Sequence, residues 1–62
     1  MNSNTFVCLL SQEKQDKIKE LVTLYAIKEG YGADEIEKMI VSVMENRLWN
    51  IEDIIDIKQF LI

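Results

Sequence analysis

The side chains with the most chemistry in this 62-residue chain crowd its last third, where Trp49 is followed by Glu52, Asp53 and Asp56. On a helical turn, positions 52, 53 and 56 share one side. Three carboxylates there could meet a basic partner or loosely hold a divalent cation. The plainer reading is a solvated face, with two of the acids stabilising the positive N-terminal end of a helix. Trp49 and, earlier in the chain, Tyr31 are large amphipathic rings at expected helix ends. Such rings are enriched among interface anchors, although they serve equally well as plugs at the ends of a small core. Trp49, Glu52, Asp53, Asp56 and Tyr31 form the candidate partner-binding set.

Catalytic chemistry has little to work with. The chain contains no histidine, so the usual general base at neutral pH is missing. Ser42 and Thr23 fall in mid-helix without a base at a useful spacing, and no glycine-rich loop precedes a helix to cradle phosphate. Cys8, the single cysteine, sits between Val7 and Leu9 with no neighbouring cation, the setting of an inert buried thiol. One thiol without histidine closes neither an intramolecular disulfide nor a tetrahedral zinc site. No Asp-x-Asp-x-Asp-Gly run marks a calcium loop. A non-enzymatic chain with no metal and no cofactor is expected.

The elements that position these residues read as helices. Proline is absent, and the two glycines punctuate the chain once, at Gly30-Tyr31-Gly32. Before them, Ser11 suits an N-cap, and Ile18, Leu21, Val22 and Tyr25 follow an amphipathic stripe with Glu13 and Lys17 as an i, i+4 pair. Gly30 suits the left-handed residue that ends such a helix. After them, Asp34 reads as an N-cap with Glu37 completing a capping box. Ile36, Met39, Ile40, Val43 and Met44 then give a 3.6-residue stripe with Ile40 and Val43 at its middle. Asn50 reads as the N-cap of a third helix carrying Ile51, Ile54, Ile55, Ile57 and Leu61. The run 4–10 leans towards a strand by its Thr, Phe, Val and Cys. With no strand to pair with inside the chain, it is expected to make a short helical turn over the core, the alternative being pairing with a second copy.

The run Glu29-Gly30-Tyr31, a helix, then Asn50-Ile51-Glu52 and an apolar close resembles the ubiquitin-associated three-helix domains. The long helix before the glycine and the longer second helix depart from that pattern. No function is carried across.

The expectation is therefore one all-α domain over 1–62, a small three-helix bundle with helices near 12–28, 35–47 and 51–61. A chain this short buries only about 60% of its unfolded surface, and chains in this position usually lean on a staple, a metal or a partner. With a hydrophobic share of 48%, self-association is the expected completion, and Leu24 and Ile27, which widen the apolar surface of the first helix together with Val41 and Ile57, are the expected oligomer interface. The segment 5–10 is too short for a signal-peptide core, the residues ahead of it carry no positive charge, and no apolar run is long enough for a bilayer, so a soluble cytoplasmic protein is expected. The net charge of −4 disfavours direct contact with nucleic acid and with anionic membranes, and allows a basic protein partner. The expected function is a small acidic inhibitor, adaptor or antitoxin-like regulator, of bacterial or phage type by its residue usage, acting on a larger protein, with a basic, nucleic-acid-handling target as one candidate. A structural homo-oligomer and a helix-turn-helix regulator are the alternatives.

Overall fold

The computed structural model describes residues 4–61, so residues 1–3 and 62 of the expected domain lie outside it. Two α-helices form, α1 over Gln12–Lys28 and α2 over Ala33–Met44, with three short 3₁₀ turns at Val7–Leu9, Leu48–Ile51 and Ile57–Phe60. The chain is all-α among the described residues, but it is not a bundle of three α-helices.

α1 starts and stops where its sequence says. Ser11 accepts the Lys14 N–H through its side chain (3.4 Å). Lys17 pairs with Glu20 (3.8 Å) rather than with Glu13. At the other end Gly30 takes φ +86°. Its N–H reaches Ile27 O (3.1 Å) and the Tyr31 N–H reaches Ala26 O (3.0 Å), the two bonds of a Schellman close. Ile18, Val22 and Ala26 line the buried side.

α2 begins earlier than expected. Gly32 (φ −78°, ψ 169°) is its N-cap, with no side-chain cap bond. The Gly32 carbonyl accepts the Ile36 N–H (2.9 Å). Asp34 therefore lies inside the first turn beside Glu35, where a carboxylate helps through the helix dipole and the capping box is not made. The helix also ends early. Asn46 turns its side-chain amide back onto Ser42 O (2.8 Å), occupying a carbonyl of the last turn, and Arg47 leaves in extended conformation.

The expected third helix is replaced by a 3₁₀ turn, a bend and a second 3₁₀ turn. Asn50 is no N-cap: it sits within the first turn, which follows Arg47. Leu48, Ile51, Ile55, Ile57 and Phe60 are all buried. Their spacings of three, four, two and three cannot lie on one side of a straight α-helix. The tight turns bring each of them inward. Asp56 restarts the chain by accepting the Lys58 N–H (3.0 Å).

The N-terminal run does fold as a helical turn, and its extended residue finds a partner inside the chain. Phe6 and Arg47 form an antiparallel bridge, closed by Val7 N–H to Asn46 O (2.9 Å) and Leu48 N–H to Thr5 O (3.0 Å). The side-chain amide of Gln15 then ties the turn to α1 through Leu10 O (2.7 Å) and Cys8 O (3.2 Å). Val7 and Leu10 close the core, whereas Cys8 is exposed along with Leu9 and is not the buried thiol expected from its apolar setting.

A single core results, drawn from Val7, Leu10, Ile18, Val22, Val43, Leu48, Ile51, Ile55, Ile57 and Phe60. Val43 is the buried residue of α2; Ile40 packs on the core from its margin and is not at its centre. Ile57 belongs to this core and not to an outer face. The surface left exposed is 4280 Å², against about 4,200 Å² for an ordinary monomer of this mass. The radius of gyration of 10.9 Å likewise matches the ~10.6 Å of a closed domain of this length. One copy therefore closes its core as fully as other monomers do.

Candidate partner-binding surface

In a 3₁₀ turn, side chains three apart stand one above the other. In the turn Leu48–Ile51 this puts Leu48 and Ile51 on one side, both buried, and Trp49 with Glu52 on another. The core grips one side of the turn, and another side presents Trp49, half-exposed (52% accessible), with the exposed Glu52 three residues on.

A polar chain fixes the turn against α2. The Asn50 side-chain amide donates to Asn46 Oδ1 (3.2 Å), and Asn46 donates in turn to Ser42 O (2.8 Å) and Ser42 Oγ (3.5 Å). Because the Asn46 carbonyl also accepts Val7 N–H, one asparagine joins α2, the N-terminal turn and the turn that carries Trp49. Beside this chain a groove runs between α2 and the bend after Ile51. Met39, Val43, Ile51 and Ile54 floor it, and Glu35 and Lys38 stand at its rim.

Glu52, Asp53 and Asp56 are all exposed. Asp56 spends one oxygen on the Lys58 N–H, while Glu52 and Asp53 make no ion pair or hydrogen bond within the described residues. Among those residues no group of three or more ligating side chains is placed to hold a metal ion.

The five candidate residues are not brought together. Tyr31 (41% exposed) closes the α1–α2 connection, and α2 carries the chain about 18 Å away before Trp49 is reached. Leu24 (57%) and Ile27 (60%) sit on the outer face of α1, away from Ile18, Val22 and Ala26, and Val41 (53%) faces outward from α2.

Sequence reasoning missed Phe6, Leu9 and Arg47. Phe6 is 38% exposed and Leu9 70%. The Arg47 guanidinium lies 4.8 Å from the centroid of the Phe6 ring, a cation–π contact. A single bridged pair separated by 41 positions leaves no periodic signal to read. The hydroxyls of Thr23 and Ser42 are engaged locally, Thr23 donating to Lys19 O (2.8 Å) and Ser42 Oγ lying 3.5 Å from the Asn46 amide. No helix among the described residues is long and apolar enough to cross a membrane. In comparisons with protein-family models, curated proteins and solved structures, nothing matches the chain significantly.

Proposed function

We propose that the chain is a non-enzymatic protein-binding module, a small acidic inhibitor or regulator that engages the basic surface of a larger protein through Trp49. The observation that carries this reading is a half-exposed Trp49 on a turn whose Leu48 and Ile51 are buried in the core. A preorganised aromatic anchor loses little entropy on binding, and anchors of this type dominate interface energetics. Glu52 and Asp53, exposed and without side-chain partners among the described residues, supply a rim that steers a basic surface into place. The locally engaged hydroxyls of Thr23 and Ser42 and the lack of histidine argue against catalysis.

A nucleic-acid-handling target suits an acidic mimic of phosphate. Direct DNA binding by the chain itself is disfavoured, because the segment that would serve as a recognition helix consists of short turns bearing Glu52, Asp53 and Asp56. A homo-oligomer is the second reading, favoured by the exposure of Leu24 and Ile27. Sedimentation across a dilution series decides it: dimers at micromolar concentration that Ile27→Lys abolishes support this face, and an unchanged monomer at high concentration removes it.

The test of the main reading uses the wild-type chain and Trp49→Ala, each immobilised and offered a lysate of the source cell. A protein held by the wild type should be lost from the variant, with its affinity reduced about 30-fold or more, the equivalent of about 2 kcal/mol. Equal retention by both chains would remove Trp49 from the interface.

A further inference from the structure

We draw no further inference here: the strongest candidate, the groove between α2 and the bend after Ile51 floored by Met39, Val43, Ile51 and Ile54, is an open apolar surface, and nothing in the structure shows what covers it.

Discussion

Trp49 and Leu48 are neighbours with opposite fates, and substituting each to alanine separates anchoring from folding. Leu48 is fully buried, so Leu48→Ala should cost about 2–5 kcal/mol through lost burial and a cavity. In a domain of this size that approaches complete unfolding. Trp49→Ala removes a ring already half in water, and circular dichroism should show helix content unchanged while binding falls. Ile40 lies between these extremes. Packed on the margin of the core, it should lose less on truncation to alanine than Leu48 does, and equal losses in urea titrations would contradict its place in the packing. Residues whose role is set by their own backbone were legible in the sequence: Ser11 as a cap and Gly30 as a left-handed stop depend on local geometry alone. Cys8 and Asn46 were not. Which way Cys8 points depends on a turn held by Gln15 and by the 46–48 segment, and Asn46 acts through bonds to three separate parts of the chain.

At the scale of elements, α1 and α2 could be read because each carries a sustained period and a terminating signal. The last third could not, since a run rich in isoleucine fits several turn geometries equally well. β-Branched side chains favour no α-helix strongly, and Asp56 takes the Lys58 N–H onto its own carboxylate. The two glycines between α1 and α2 offer a controlled pair of substitutions. A Cβ at either meets nothing within 4 Å, so sterics cancel and only backbone conformation differs. Gly30 has φ +86°, and Gly30→Ala should destabilise by about 1–2 kcal/mol, the strain of a left-handed L-residue. Gly32 is an extended N-cap without a side-chain bond. Gly32→Ser can supply that bond and also restricts the unfolded chain, so it should stabilise by a few tenths to about 1 kcal/mol. Thermal melts resolve both, since 1 kcal/mol moves the midpoint of so small a domain by roughly 4–8 °C. A rise for Gly30→Ala or a fall for Gly32→Ser would contradict the backbone described for this connection.

For the whole molecule, the question is what closes a core that two helices cannot close alone. Two packed helices bury one face each, and α2 has only Val43 fully enclosed. The remaining cover comes from the two ends of the chain, stitched together at the Phe6–Arg47 bridge. That closure supplies within one copy what the short length led one to seek in a partner. Its contribution can be bounded. Val7 and Leu10 are both buried, at about 1.5–3 kcal/mol each, and the two backbone bonds of the bridge are worth about 0.5–1.5 kcal/mol each. Together they reach about 4–9 kcal/mol, as large as the ~3–9 kcal/mol that a 62-residue domain has in all. Deleting residues 1–10 should therefore abolish the cooperative thermal transition. Phe6→Ala provides the control, because it keeps both backbone bonds and forfeits mainly the contact with Arg47, about 0.5–1 kcal/mol at an exposed site. Hydrogen exchange adds a local readout, since the Leu48 amide donates to Thr5 O and should lose protection on deletion while keeping it in Phe6→Ala. A truncated chain that melts cooperatively at the wild-type midpoint would show that the N-terminal turn lies on the core without holding it closed.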